Sequence, residues 1–490
     1  MKWQKLFLVK RCFNGSITFA SQSYKTKWLI NRILKLRWIK CIIITGIMLF
    51  FLLHFRRRII GIRSMTHAVH DASVTLVLNK SIRTTFHVEI QRIFDNQISH
   101  RNNKLLTQFS GQYREISSTS LNENITNEYS LEDIIFILTT HTKRIFTTID
   151  YVKFWATHPG INCLIVFHEK DFMNYTNITD FLLQQGVLCE IQTSPVERFE
   201  QRYFELFYDG WKKQESDSHQ NERRRIQWFA VGDDDTIWFV NNLLHVLRQH
   251  NSTDKIYLGN ISTKRLQIKK HGAYYAYGGA GIVFSRSLAL SYVQHRQQCE
   301  RFYYTYGGDE MIGKCVVEEL GVNLTRDHHF HQMDHLGNML GLMESGMDGL
   351  VTLHHVFKSW RPFSDVQIDL VSETMRRFNI AYSTFDKSFL KRYLYINREM
   401  NQSVLLTLGY SISIFNRILT GEDLSFVEQT WCCDEMMDRR FRTAERNKTT
   451  WYFQRLINET CIDGVKYVMI YEGKKRQSDL YSTIKVTIKE

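Results

Sequence analysis

An α/β fold built around a mostly parallel sheet is what this sequence predicts, and three observations carry the prediction. From residue 134 onward, apolar runs of four to seven residues alternate with segments of helical period. The run "IQWFAVG" (226–232) is apolar almost throughout, as strands covered on both faces are. Three carboxylates, Asp233, Asp234 and Asp235, follow it at once, where open α/β sheets bind ligands, outside the carboxyl ends of their strands. At 490 residues, with 43% hydrophobic and 13% aromatic side chains, the chain can fill one large or two ordinary domains. Three prolines and no low-complexity tract or solenoid repeat mark it as globular.

The N-terminus stands apart. Residues 1–64 hold 14 Lys or Arg and no Asp or Glu, which leaves 49 basic against 50 acidic residues for the rest. The net charge of +13 therefore belongs to the N-terminus, and no basic field remains to attract a nucleic-acid backbone. Next comes "CIIITGIMLFFLLHF" (41–55), flanked by Lys40 and by Arg56, Arg57 and Arg58. It is shorter than the roughly 20 apolar residues that cross an average bilayer. Trp38, Ile39 and snorkelling arginines extend it enough for a thin membrane. It starts too far from Met1 for a signal-peptide core. Ten basic residues before it and four soon after predict a cytosolic tail at 1–40, a single-pass type II anchor at 41–55 and a lumenal remainder.

Two further features fit a lumenal chain in the Golgi membrane or the ER. Ten Asn-x-Ser/Thr sequons lie beyond the anchor, at Asn79, Asn124, Asn174, Asn177, Asn251, Asn260, Asn323, Asn401, Asn447 and Asn458, which predicts a glycoprotein. Seven cysteines follow the anchor, and Cys163 with Cys189, Cys299 with Cys315, and Cys461 with Cys432 or Cys433 are the candidate pairs. No CxxC pair has zinc-finger spacing, so disulfides outrank a metal cluster.

Residues 56–130, polar and rich in Asn, Ser and Thr, are expected to form a stem; 131–375 is the α/β domain, and 376–490 a mixed α/β extension. Within the domain, "IIFILTT" (134–140), "CLIVFHE" (163–169) and "VLCEIQ" (187–192) read as strands, with "TTIDYVKFWATH" (147–158) and "TDFLLQQG" (179–186) as the helices between. After the strand at 226–232, "TIWFVNNLLHVLRQH" is expected to begin a helix at once, with Thr236 or an Asp near its cap.

Carboxylates are hard ligands suited to Mg²⁺ or Mn²⁺, ions that commonly share their coordination with substrate phosphates. No GxxxxGK[ST] loop occurs, which removes the main support for a kinase or NTPase and leaves transfer of a group from a nucleoside diphosphate. Further along, Gly278, Gly279 and Gly281 in "YAYGGAGIVFS" can bring backbone close to a ligand. In "YGGDEMIGKC", Asp309 and Glu310 stand at a helix start, as cap and first-turn acid or as a general base. His354 and His355 in "LHHV" would point to opposite faces of a strand, so that at most one faces a site.

Taken in order, "WFAVGDDDT", "YAYGGAGIVFS", "YGGDEMIGKCVVEELGV", "HHFHQMDHLGNMLGLM" and "LHHV" resemble the fringe-like β1,3-glycosyltransferases, in particular their fringe-related branch of unassigned acceptor. The resemblance is close over 131–365 and weaker to about 435. It implies a GT-A type, Rossmann-like sheet flanked by helices, and an inverting transferase of hexosyl or N-acetylhexosaminyl groups. Its donor would be a nucleotide sugar such as a UDP-sugar, its cofactor Mn²⁺, and its acceptor a glycan or glycoprotein. Position by position, it implies Asp235 as main metal ligand with His354 and Asp233. Asp233 and Asp234 would face the donor, with Thr139, Thr140, Gly278, Gly279 and Gly281 lining it. Asp309 would be the catalytic base. The chain departs from the motif there: Gly308 stands where the family has an acid, and Glu310 follows, so either carboxylate can be the base, with Asp309 favoured. Two other classes share parts of the pattern: a membrane-tethered carbohydrate-binding pseudoenzyme, and a metal-dependent phosphotransferase or nuclease.

Overall fold

The computed structural model describes residues 83–92, 106–116, 127–172, 175–220, 225–334, 336–356, 360–363, 371–425 and, in shorter pieces, parts of 427–489. All lie within one unit, Val74–Glu490. The expected tail at 1–40 and anchor at 41–55 fall outside the described residues. Among those described, no helix is long and apolar enough to cross a membrane.

The α/β part is a seven-stranded sheet. Its strands run in the spatial order Leu324–Arg326, Tyr257–Gly259, Ile282–Ser285, Trp228–Val231, Ile134–Thr139, Asn162–His168, Glu190–Ser194. Only Ile282–Ser285 is antiparallel to its neighbours; the other pairings are parallel. Both faces are covered, which explains the unbroken apolar runs. In Ile134–Thr139, Ile134, Phe136 and Leu138 pack into the core on one face. Ile135 and Ile137 pack on the other, against Phe204, Phe207 and Trp211 of the long helix Phe199–Gln220. Gly210 lets that helix lie close, since a Cβ there would stand 2.3 Å from Ile137 Cδ1. From Ile134–Thr139 the chain builds outward one way through 162 and 190 and the other way through 228, so the topological switch lies between Ile134–Thr139 and Trp228–Val231. The ends of those two strands are where a ligand crevice forms in such sheets.

Two of the candidate disulfides are formed, Cys163–Cys189 and Cys299–Cys315. The third, through Cys461, lies outside the described residues.

One expectation about the flanks is corrected. Part of the expected stem is folded, as strands Arg83–Arg92 and Leu106–Ile116. They join Arg392–Asn397, Gln402–Thr407, Ser411–Phe415, Lys448–Asn458, Val465–Gly473 and Ser482–Lys489 in a closed eight-stranded antiparallel barrel. The extension is mixed, with helix Gly421–Ser425 and most of Val371–Phe385 beside a larger set of strands, and its barrel is completed from the N-terminal side. The physical reason is edge pairing: the C-terminal strands alone would leave two open edges, and the two N-terminal strands close the ring between them. Helix Val371–Phe385 joins barrel to sheet. Its Tyr382 lies against Phe154 and Phe239, and Phe389 stacks on Phe239 at 5.9 Å.

Candidate active site at the switch point

Strand Trp228–Val231 ends where Gly232 N donates to Ile137 O at 3.3 Å, and the acids form a turn closed by Thr236 N donating to Asp233 O. The helix expected to start there begins only at Val240. Before it, Ile237–Trp238 forms a two-residue antiparallel pairing with Thr352–Leu353, Leu353 opposite Ile237. Thr236 caps no helix; its Oγ1 donates to Gly279 O at 3.1 Å. β-Branched and aromatic side chains favour this extended form over a helical turn. Its consequence is chemical, because it carries the next residue, His354, to the acids.

His354 Nε2 stands 3.0 Å from Asp235 Oδ1 and 3.3 Å from Asp233 Oδ2. Its Nδ1 lies 2.9 Å from Gln332 O, an acceptor that fixes the proton on Nδ1 and leaves Nε2 to face the carboxylates. A nitrogen lone pair pointed at two carboxylates is repulsive unless a proton or a cation lies between. Burial works against the charged ring, yet Asp235 and Asp233 outweigh it and hold the imidazole well above its usual range. A divalent cation meets the same need. Donor atoms about 2.1 Å from such an ion at right angles stand about 3 Å apart, which matches the spacings here. Asp235 and His354 are 4% and 2% exposed, whereas the Asp233 side chain is 32% exposed and opens to solvent. These residues fit a divalent ion, as does the grouping of Asp235 with His354 and His355.

His355 departs from expectation. The two rings do not point apart but lie side by side, tilted by 30° with 3.7 Å between centroids. The strand ends at Leu353, and His355 takes a left-handed φ of 54°, which turns its ring back onto the same side.

Asp234 lies behind the site. Its Oδ2 accepts from Thr140 Oγ1 at 2.7 Å and its Oδ1 meets Arg144 at 2.6 Å. Burial raises its pKa, opposed by Thr140 and Arg144. Thr139 Oγ1 donates to Val166 O and accepts from Arg202 Nε. Both threonines are 0% exposed, so the hydroxyls expected at the donor instead support the strand ends that carry the acids. Arg144, Arg202 and Gln332 were not singled out from the sequence; Gln332 lies in the quoted "HHFHQMDHLG" stretch and Arg144 close after Thr140, but the contacts that matter are to residues distant in the chain.

The glycines behave as close-approach positions. A Cβ on Gly279 would lie 2.1 Å from His354 Nδ1, and one on Gly278 would lie 2.6 Å from Tyr203 Oη and 3.1 Å from Asp233 Oδ1. Gly281 has a φ of +87° and backs onto Trp238. Gly279→Ala is therefore expected to displace the His354 ring and weaken divalent-cation binding at this site, measured by calorimetry, while the fold, followed by circular dichroism and thermal melting, survives.

Asp309 faces the acids across Gly278. Its Oδ2 accepts from Gly278 N at 3.0 Å and its Oδ1 from Glu310 N at 2.8 Å. The residue is part-buried, and desolvation is the largest influence on its ionisation. Burial pushes it up to about 6; the Gly278 N–H opposes this and the Asp233 charge adds to it. Glu310 points elsewhere, with Oε1 3.5 Å from Lys314 Nζ and Oε2 3.8 Å from His271. Gly308 also gains a reason: a Cβ there would meet Glu200 O at 2.6 Å and Tyr203 Cβ at 2.7 Å, so no acid fits. Gly313 lets the helix Gly308–Lys314 approach Tyr275. A separate cavity of about 420 Å³ lies at the amino-terminal edge of the sheet, between Glu132, Asn162, Leu188 and Lys213. It holds none of the acids or histidines just described, and the chemistry places the site at the opposite strand ends.

Comparisons with known proteins place the chain among relatives. Residues 267–487 match the family model described as "Protein of unknown function, DUF604". Chondroitin sulfate synthase 3 of Homo sapiens is 27% identical over 148 residues, 28% of this chain and 17% of that one. Beta-1,3-glucosyltransferase of Mus musculus is 30% identical over 112 residues, 23% of this chain and 22% of that one. Beta-1,3-N-acetylglucosaminyltransferase lunatic fringe of Danio rerio is 30% identical over 145 residues, 26% and 38% of the two chains. The chain thus spans less than two-fifths of the length of each of these relatives. Among solved structures, the glycosyltransferase GlyE of Streptococcus pneumoniae TIGR4 aligns with a TM-score of 0.29 at 10% identity, over 50% of this chain and 60% of that one. Two of these relatives are named as glycosyltransferases and one as a synthase, and the chain is related to all three.

Proposed function

We propose that the chain is an inverting, metal-dependent glycosyltransferase that moves a sugar from a nucleotide-sugar donor, a UDP-sugar, to an acceptor hydroxyl, forming a β1,3 linkage. The observation that carries this reading is His354 Nε2 set against Asp235 and Asp233 at the switch point, with the Asp309 carboxyl across Gly278. Asp235, His354 and Asp233 would hold the cation, Mn²⁺ in this reading. When bound, the ion supplies positive charge that neutralises the departing diphosphate.

The chain's own groups do the rest. Gln332 O orients the His354 ring through Nδ1, and Thr140 with Arg144 fixes the acidic turn through Asp234. The N–H groups of Gly278 and Glu310 aim the Asp309 carboxylate, which takes the proton of the acceptor hydroxyl as its oxygen attacks the anomeric carbon. Glu310, held by Lys314 and His271, is turned away from that role. The same reading places the chain as a type II protein of the Golgi membrane, its anchor at 41–55 and its site lumenal.

The test is turnover of donor by soluble protein starting near residue 66, with Mn²⁺ and a panel of nucleotide sugars. Release of nucleoside diphosphate should require the metal and fall at least about 100-fold in Asp235→Asn and in His354→Ala. If UDP and Mn²⁺ bound but no donor or acceptor supported turnover, the pseudoenzyme reading would replace this one.

A further inference from the structure

Two tyrosines in the loop that leads into Asp309 stand in solvent, Tyr304 at 90% and Tyr306 at 73% exposure. Rings of this size are ordinarily drawn inward, because covering one removes a large apolar area from water. This loop is not loose. Cys299–Cys315 closes the segment that contains it. Arg198 donates to Tyr303 O at 3.2 Å and to Thr305 O at 3.5 Å, and Thr305 N donates to Phe302 O. The Tyr303 hydroxyl is anchored on Glu205.

The Tyr306 ring is positioned as well. It packs beside His271 at 4.9 Å between centroids, with Lys270 Nζ 5.2 Å from its centre. His271 in turn reaches Glu310, the neighbour of Asp309. The backbone just after Tyr306 rests against the Asp309 carboxylate, since a Cβ on Gly307 would lie 2.6 Å from Asp309 Oδ1. A rigidly held, exposed aromatic face thus adjoins the carboxylate that receives the acceptor's proton.

We propose that Tyr306, with Tyr304 near it in the loop, is a platform on which a sugar ring of the acceptor stacks, so that Tyr306 seats and orients that ring beside Asp309. A pyranose offers one face of C–H groups, apolar and slightly positive, which complements the negative face of an aromatic ring. Its hydroxyls stay at the edge, free to reach Asp309. The inference rests on the glycosyltransferase reading and adds to it the residue that seats the acceptor.

The experiment is saturation-transfer NMR on the soluble protein with UDP and Mn²⁺ present. The probes are methyl pyranosides of galactose, glucose, fucose, N-acetylglucosamine and N-acetylgalactosamine, with a short Ser/Thr peptide beside them. At least one pyranoside should bind through its C–H face, about five- to tenfold more weakly in Tyr306→Ala and within about twofold of wild type in Tyr306→Phe. Binding of UDP with Mn²⁺, measured by calorimetry in the same samples, should be equal in all three. The proposal is overturned if the Ala variant binds the sugar as wild type does, if Phe fails as Ala does, or if only the peptide binds. It is also overturned if no pyranoside binds while UDP and Mn²⁺ do. If wild type does not bind UDP with Mn²⁺, the transferase reading itself fails, and this inference falls with it.

Discussion

Asp309→Asn should lower transfer to acceptor by about 10²- to 10⁴-fold, the range over which a positioned general base contributes. Asn keeps the volume and one accepting oxygen, so the turn at Gly278 and the helix start should persist. UDP and Mn²⁺ should bind as in wild type, because Asp309 is not among the residues assigned to the ion. The pH profile gives a second signature. The carboxyl is pushed up to about 6, mainly by burial. The ionised form is the active one, so transfer by wild type should rise as pH passes upward through about 6 and then level off. Residual transfer by the Asn variant should show no such rise. Stability moves the other way: the folded carboxyl holds its proton more tightly than the unfolded chain does, so its ionisation near neutral pH weighs against the fold. The Asn variant gives up one of the two backbone N–H partners but loses this pH-dependent penalty, so its melting temperature should vary less between pH 5 and 7 than that of wild type. If Glu310→Gln were the variant that lost the pH-dependent limb, with Asp309→Asn undiminished, the base would be Glu310.

The acids were legible because three carboxylates after a buried apolar strand have few structural uses, and because strand ends are where such sheets act. What the sequence concealed is how His354 reaches them. The link is a two-residue pairing, Ile237–Trp238 with Thr352–Leu353, between segments far apart in the chain and too short to show any period. The same gap hid the side-by-side placement of His355, which depends on one left-handed residue. Gly279 could be flagged as a close-approach position, but its partner, the His354 ring, could not be named. The barrel was missed for another reason. Arg83–Arg92 lies in a stretch that reads as polar spacer, and its partner Ser482–Lys489 is nearly the whole chain away. Neither strand is apolar enough to announce itself until the other is placed beside it.

Lys448→Ala should be strongly destabilising, by about 3–5 kcal/mol, the cost of removing one partner of a buried ion pair. Lys448 Nζ lies 3.1 Å from Glu344 Oε2 and also contacts Glu428. Both glutamates are 0% exposed. Glu344 follows the short helix Leu340–Met343 on the α/β side, and its other oxygen accepts from Ser411 and Ser413 of the barrel. Arg392, at the start of a barrel strand, donates to Glu344 O and Leu424 O. The cluster therefore ties the sheet domain to the barrel, and removing the lysine leaves two carboxylates facing each other in a dry interior. Urea unfolding at pH 8 should show the full loss. Replacing the three together, as Lys448→Met with Glu344→Gln and Glu428→Gln, should recover much of the stability, since the desolvation of charge disappears with the charges. Equal losses in the single and triple variants would mean that side-chain packing at Lys448, and not its charge, holds the two parts together.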